Sequence, residues 1–403
     1  MTAPLTVLRN PLRTDSSLAL PHPLAETDAG SGEPVQAFHQ RFADYEPTPL
    51  LDVPTLALDL GVGRVLVKDE SSRLGLPAFK MLGASWASYR SLVERFVERT
   101  SREPGPWRTL DELAEELAPL HPMTLATATD GNHGRAVARF ARLMGMGARI
   151  FVPEGTTASR IDAILGEGAT CEVVDGTYDD AVARAGLEAA ADCLVVSDTS
   201  WPGYEIVPLW VIEGYSTIFA EIDAQRAAAG LADPDVVVVP IGVGALAAAV
   251  ARWFRRPELA HQPVLVGVEP DTANCVMASA EAGHLVEVPG PHRSVMAGLN
   301  CGEPSPVAWP WVSAGFDWFV AGGDDLAVDG MRLLADRGIV SGESGACTVG
   351  ALAALAAGAG AAAGLVVGPE ATVLVLSTEG ATDPPYYESV VGRTPAAVAG
   401  ARP

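Results

Sequence analysis

Between residues 123 and 268 short β-branched runs alternate with stretches of helical spacing, and no other feature restricts the fold as tightly. Parallel strands cannot be joined by a tight hairpin, because each crossover needs about a dozen residues or more, usually a helix. The runs Met123–Thr127, Ala148–Val152, Thr170–Val174, Cys193–Val196, Val236–Val239 and Val264–Val268 read as strands. Between them Val137, Phe140, Ala141 and Met144 recur at helical spacing, as do Ile161, Ile164 and Leu165. A further strand at Val373–Leu376 and helices near Leu326–Arg337 and Ala346–Ala357 extend the pattern. The class this predicts is α/β, a doubly wound parallel sheet. Ala356–Gly364, built only of alanine and glycine, reads as a helix end or surface loop, and the last ten residues read as an unstructured tail.

Composition narrows the functions open to such a fold. With 403 residues and 48% hydrophobic content the chain has material for roughly two to three domains. A net charge of −23 argues against nucleic-acid or anionic-membrane partners, which select basic faces. No apolar run is long enough to span a bilayer, and Met1–Leu20 lacks a charged segment followed by an apolar core, so the expected location is cytoplasmic. Five cysteines, odd in number and without a C-x-x-C pair, support neither a disulfide framework nor a zinc site. None of the seven histidines stands at a metal-ligand spacing, so no metal is expected. G-x-S-x-G and G-x-x-x-x-G-K-[ST] are both absent.

Among 27 basic residues only Lys68 and Lys80 are lysine, and arginine cannot supply a primary amine. Lys80 lies in Ala78-Phe79-Lys80-Met81-Leu82-Gly83, where burial is expected to lower its pKa and leave an amine able to form a Schiff base. Lys68 reads as a structural or surface charge. A general bias toward arginine accounts for the count equally well.

Four loops fall where a parallel sheet binds ligands, at the carboxyl ends of strands, and two of them are rich in glycine. Pro240-Ile241-Gly242-Val243-Gly244-Ala245 follows Val236–Val239 and opens a helix, an arrangement suited to a phosphate and equally to tight packing. It is not a full dinucleotide fingerprint, since Ala247 replaces the last glycine. The second loop, Thr127-Ala128-Thr129-Asp130-Gly131-Asn132-His133-Gly134, again joins a strand to a helix.

With Lys80 upstream and the glycine loop downstream, the G-N-H of this second loop resembles fold-type II pyridoxal-phosphate enzymes, the group of threonine dehydratase and cysteine synthase. Asp130 replaces the serine usual there, and with that aspartate the chain resembles the diaminopropionate ammonia-lyases. Lys68-Asp69-Glu70-Ser71, Ser197-Asp198-Thr199-Ser200-Trp201, Val268-Glu269-Pro270-Asp271-Thr272, Cys301-Gly302-Glu303-Pro304, Ser341-Gly342-Glu343-Ser344-Gly345 and Ser377-Thr378-Glu379-Gly380 carry the resemblance over roughly residues 35 to 390. It implies two doubly wound parallel-sheet domains with pyridoxal 5'-phosphate in the cleft between them. Residues 1–98 and 231–403 would form the large domain and 99–230 a small inserted one, in a homodimer acting on a small amino acid.

By the same resemblance Lys80 carries the cofactor as an imine and Asn132 meets its phenolic oxygen. Gly242, Val243, Gly244, Ala245 and Leu246 cradle its phosphate, and Ser377 or Thr378 meets the pyridine nitrogen. Asp130 serves as base for the D-isomer and Asp198 for the L-isomer of 2,3-diaminopropionate, and the aminoacrylate released hydrolyses to pyruvate and ammonia. An ordinary aspartate, pKa about 3.9, is a poor base, so desolvation is expected to raise both. Glu269, Glu303 and Glu343 lie in matched motifs without an assigned role, and His133 reads as a donor near the phosphate or as a structural histidine. The alternatives are a serine or threonine dehydratase, or a non-catalytic α/β ligand-binding protein.

Overall fold

The computed structural model describes residues 5–14, 34–259 and 261–401. They divide into two compact units. The first holds Pro47–Ser72, Ile218–Pro403 and the described part of Met1–Pro21; the second holds Arg73–Thr217 and the described part of His22–Glu46. The strands are β1 (Thr6–Arg9), β2 (Leu50–Asp52), β3 (Arg64–Asp69), β4 (Thr124–Ala128), β5 (Gly147–Pro153), β6 (Thr170–Val174), β7 (Cys193–Val195), β8 (Val236–Pro240), β9 (Val264–Pro270), β10 (Trp318–Gly322) and β11 (Thr372–Ser377).

The first unit is built on a sheet in the order β1-β10-β9-β8-β11-β3-β2, parallel except for its two edge strands. Val236, Val238, Val373 and Val375 enter one core with Met331, Leu334 and Leu352, while Val237, Val239 and Leu374 are equally buried. Successive side chains on a strand point to opposite faces, so both faces are covered, which is why these strands read as unbroken apolar runs. The described part of the last ten residues is not an unstructured tail. Pro395–Ala399 is a helix whose first turn is capped by Thr394 and whose Val398 is fully buried in that core. Pro at the first helical position and threonine before it are a start signal that outweighs the small-residue composition.

The second unit carries four parallel strands in the order β6-β5-β4-β7. The helix Lys80–Thr100 packs on the helices Asn132–Leu143 and Ile206–Gly214. A Cβ on Gly83 would lie 2.6 Å from the Tyr215 ring, and one on Gly214 would lie 2.7 Å from Gly83 Cα, so glycine at both positions permits the close crossing. Phe38 inserts against Trp86 and Tyr89 of the long helix, with ring centroids 5.3 and 4.8 Å away. Burying it fully stabilises the unit by about 1.5–3 kcal/mol. These contacts shift the expected division at residues 98/99 and 230/231. Residues 73–98, Lys80 included, belong to the inserted unit because their apolar face is covered there, and 218–230 belong to the first.

Candidate active site

Lys80 is the first residue of its helix, and its Nζ donates to Asp198 Oδ2 at 2.6 Å. Asp198 follows β7 in a loop whose backbone is tied by Tyr204: the tyrosine hydroxyl accepts from Ser197 N at 3.0 Å and donates to Val195 O at 2.7 Å. Tyr204 is itself held by stacking on Trp201, centroids 4.1 Å apart. The other carboxylate oxygen of Asp198 accepts from the Tyr178 hydroxyl at 2.9 Å. Tyr178 opens a helix fixed by a capping box between Thr177 and Asp180. His133 Nε2 donates to Val196 O at 2.8 Å, and its Nδ1 faces Asp198 Oδ2 at 4.0 Å. This places His133 beside the Lys80–Asp198 pair, a role the sequence did not suggest.

The electrostatics overturn two expectations. Burial alone would lower Lys80, but the charge of Asp198, with Tyr215, the hydrogen bond to Asp198 and Asp130 adding to it, outweighs burial and raises its pKa well above the ordinary lysine value. Burial alone would raise Asp198, but Lys80 and His133, with hydrogen bonds from Lys80 and Tyr178, hold it well below the usual carboxylate range. An opposite charge in contact decides both signs. The Tyr215 hydroxyl is buried beside Lys80, and burial raises its pKa further than the charge and hydrogen bond of Lys80 lower it.

Asp130 lies between β4 and the helix Asn132–Leu143, half-buried, with Asn132 at the first position of that helix. The turn is held by Thr129 Oγ1, which accepts from Gly131 N at 2.9 Å. The fold brings Lys80, Asp130, Asn132, His133 and Asp198 into one unit.

In the first unit the loop after β8 leads into the helix Ala245–Phe254. Gly244 has φ +98°, and a Cβ on Gly242 would meet Gly298 O at 2.9 Å, so neither position accepts an ordinary side chain without strain. The first N–H groups of a helix have no partner within it, and here they sit among the buried Val243, Ala245 and Leu246. A phosphate fits that arrangement of a compact turn and a helix N-terminus. At the end of β11, Ser377 is fully buried and donates from Oγ to Ser341 Oγ at 2.8 Å, with Thr378 buried beside it. These are neutral groups, suited to a ring nitrogen that is not held protonated.

The remaining candidates separate. Glu269 Oε1 and Oε2 accept from Val276 N and Met277 N, each at 2.8 Å, which caps the helix Cys275–Ala282. Burial pushes its pKa up to about 8 against the pull of those bonds. Glu303 is exposed, whereas Glu343 is buried at the start of its helix. Lys68 is structural: fully buried, it donates to Glu221 Oε2 and Thr48 O at 2.7 Å and to Gln225 Oε1 at 3.1 Å. Sequence reasoning missed Tyr178 and Tyr215, and it saw Tyr204 only as part of a matched motif without a role. Of the two missed, only Tyr178 left a signal, the Thr177–Asp180 box that fixes a helix start on it.

A family model described as pyridoxal-phosphate dependent enzyme matches residues 42–378. Diaminopropionate ammonia-lyase of Escherichia coli strain K12 is 40% identical over 378 residues, covering 90% of this chain and 91% of that protein. The chain belongs to the diaminopropionate ammonia-lyase family of pyridoxal-phosphate-dependent enzymes. Crystal structures of the Escherichia coli diaminopropionate ammonia-lyase agree with that membership. Its complex with D-serine matches at a TM-score of 0.83 and 35% identity, covering 97% of each chain. Its complex with an aminoacrylate-PLP azomethine reaction intermediate matches at 0.82 and 36%, with the same coverage. Membership in this family fixes the cofactor class, pyridoxal phosphate, and the lyase chemistry. Among the described residues no helix is long and apolar enough to cross a membrane, and no cluster of side chains is suited to a metal.

Proposed function

We propose that this chain eliminates ammonia from 2,3-diaminopropionate, with Lys80 carrying pyridoxal 5'-phosphate and Asp130 and Asp198 acting as bases for the D- and L-isomers. The observation that supports the assignment most is the 2.6 Å contact of Lys80 with Asp198, in a chain whose other lysine is locked in a buried structural pair. Bound pyridoxal phosphate supplies an electron sink for the pair left at Cα. Every other step falls to side chains.

Lys80 Nζ is the nucleophile once it has shed its proton. Loss of that charge frees Asp198 Oδ2 while Tyr178 still holds Oδ1, and the carboxylate stays buried. Desolvation, outweighed while a cation is in contact, strengthens Asp198 as a proton acceptor whenever neither Lys80 nor His133 is charged beside it. Asp130 is the second base because opposite enantiomers held by the same contacts present their Cα hydrogens to opposite faces, where one fixed carboxylate cannot reach both. Asn132 would donate to the phenolic oxygen, and the N–H groups of Gly242 to Leu246 would hold the phosphate. Ser377, with Thr378 beside it, would face the ring nitrogen; a hydroxyl does not keep that nitrogen protonated, which favours prompt elimination over long-lived carbanion chemistry. Aminoacrylate then leaves and hydrolyses to pyruvate and a second ammonia. From the family resemblance we also infer a homodimer in the cytoplasm, and light scattering of the purified protein checks its assembly.

The test is the visible spectrum of the purified protein before and after 2,3-diaminopropionate, followed by assays for pyruvate and ammonia. A cofactor band that responds, with pyruvate formed, is expected. A larger kcat/KM for threonine would replace this reading with a dehydratase.

A further inference from the structure

His39 and His133 are both buried histidines of the second unit, and they differ in one respect. His39 Nε2 donates to Leu82 O at 3.0 Å and its Nδ1 accepts from Thr217 Oγ1 at 2.7 Å, so both nitrogens are satisfied. His133 Nε2 donates to Val196 O, a pure acceptor, which fixes the proton of the neutral ring on Nε2. Its Nδ1 is therefore a bare lone pair. It is buried, has no hydrogen-bond partner among the described residues, and points to the carboxylate oxygen that holds Lys80. A buried acceptor left unsatisfied is unfavourable, so its presence here asks for a function.

We propose that His133 is the alternate cationic partner of Asp198: the proton of the Lys80 ammonium passes through Asp198 Oδ2 to His133 Nδ1, leaving a neutral lysine beside an aspartate–imidazolium pair. One N–H bond breaks at Nζ and one forms at Nδ1. Proton count and net charge are unchanged, and Asp198 remains an anion paired with one cation before and after. The 4.0 Å gap exceeds hydrogen-bond length by about 1 Å, within reach of a small rotation of either side chain. The direction of each influence agrees. Burial lowers the pKa of His133, Asp198 raises it and Lys80 lowers it, so discharging Lys80 removes an opposing charge and leaves Asp198 to stabilise the imidazolium. The other ionisable groups facing the pair are Tyr178 on Asp198, Tyr215 and Asp130 acting on Lys80, and Tyr204 acting on Asp198. His133 thus works through Asp198 as a positioning residue and gives Lys80 a route to its nucleophilic form that does not wait for hydroxide.

The inference rests on Lys80 being the reactive amine, and its test needs neither cofactor nor substrate, so the two readings fail separately. Lys68 is fully buried, which leaves Lys80 as the one lysine open to labelling. The full chain, freed of cofactor and checked for folding by its ability to rebind it, is treated with trace acetic anhydride across pH, and acetylation of the Lys80 peptide is read by mass spectrometry. If His133 takes the proton, the state with neutral lysine and charged histidine has the same proton count as the resting state. Its population is then independent of pH, and labelling shows a floor between about pH 6 and 8. In His133→Gln, which keeps a donor for Val196 O and lacks a titrating nitrogen, the floor vanishes. Labelling then rises about tenfold per pH unit throughout, and near pH 6 it falls below wild type by about 10²-fold. Wild type without a floor, or a floor that survives in the variant, overturns the proposal. A second readout needs only wild type: acetylating Lys80 should raise the proton-NMR titration midpoint of His133 by about one unit. An unmoved midpoint overturns it even if the variant does not fold.

Discussion

Lys68 and Lys80 are each held by a carboxylate at nearly the same distance, 2.7 and 2.6 Å, yet their surroundings assign them opposite work. Around Lys68 every ammonium hydrogen has an acceptor in Glu221, Thr48 or Gln225, and both ions are sealed from water. Lys80 has one carboxylate acceptor, with the Tyr215 hydroxyl nearby, and an 18% exposed side chain, with the bare Nδ1 of His133 beside the shared carboxylate. A fully satisfied ion pair resists change because a proton lost from the pair leaves the buried carboxylate without its cation. An incompletely satisfied one has somewhere to send its proton. Burial by itself therefore does not make a lysine reactive; the number and kind of partners decide.

The hardest test of that contrast is Lys80→Ala. It should abolish the absorbance of lysine-bound cofactor and lower turnover by more than about 10⁴, beyond the loss of a single general base. Comparable absorbance in the variant would move the chemistry to another amine. Next come the two aspartates. Asp130→Asn should cost about 10²–10⁴ in kcat/KM for the D-isomer and spare much of the L-isomer's, with Asp198→Asn doing the reverse. Kinetics for each enantiomer, after confirming cofactor attachment, decide it; parallel losses in both variants would mean that the carboxylates act together on one proton.

The structural lysine should answer through stability. Lys68→Met leaves the Glu221 carboxylate buried without its cation, since the Glu221 side chain is only 1% exposed. Breaking a buried pair on one side costs about 3–5 kcal/mol, which urea denaturation measures. Activity per folded molecule should stay close to wild type. Adding Glu221→Leu should recover much of the loss, because removing both charges leaves neither uncompensated. A stable single variant with a large fall in kcat would make Lys68 functional and erase the contrast.

How much of this was legible depended on whether the partners were near in sequence. Val236–Val239 declared itself a strand because a parallel strand covered on both faces must be apolar throughout. The run Arg64–Asp69 did not, since Lys68 interrupts it and the carboxylate that makes the charge tolerable lies 153 residues away. The unit boundaries were hidden likewise, because the Lys80 helix docks through Gly83 onto Gly214, far along the chain. Lys80 stood out by scarcity of lysine, and Asp130 and Asp198 by family resemblance. Their charge states did not, because an argument from apolar neighbours sees desolvation and misses the ion that offsets it. Tyr204, which fixes the backbone ahead of Asp198, left no local trace of its hydrogen bonds.

The same contrast extends to acids, and there it predicts a dependence on pH. Asp198 and Glu269 are both buried carboxylates; the first has a cation in contact and sits low, while the second has only two backbone N–H groups and is pushed up to about 8. A carboxyl whose folded pKa lies above its unfolded value of 4.5 keeps its proton in the native state while the unfolded chain has released it. Between those limits the native state binds more protons, so stability falls as pH rises. The contribution of Glu269 is thus fully present below about pH 4.5 and lost on passing pH 8, at no more than about 1.4 kcal/mol per pH unit. Glu269→Gln removes the titration while keeping an oxygen for one N–H. The difference in unfolding free energy between variant and wild type, measured by denaturant at several pH values, should therefore move in the variant's favour from pH 5 to 8. A constant difference across that range would mean that the two helix N–H groups hold Glu269 as an anion throughout, and that dipoles suffice where Asp198 needs a charge.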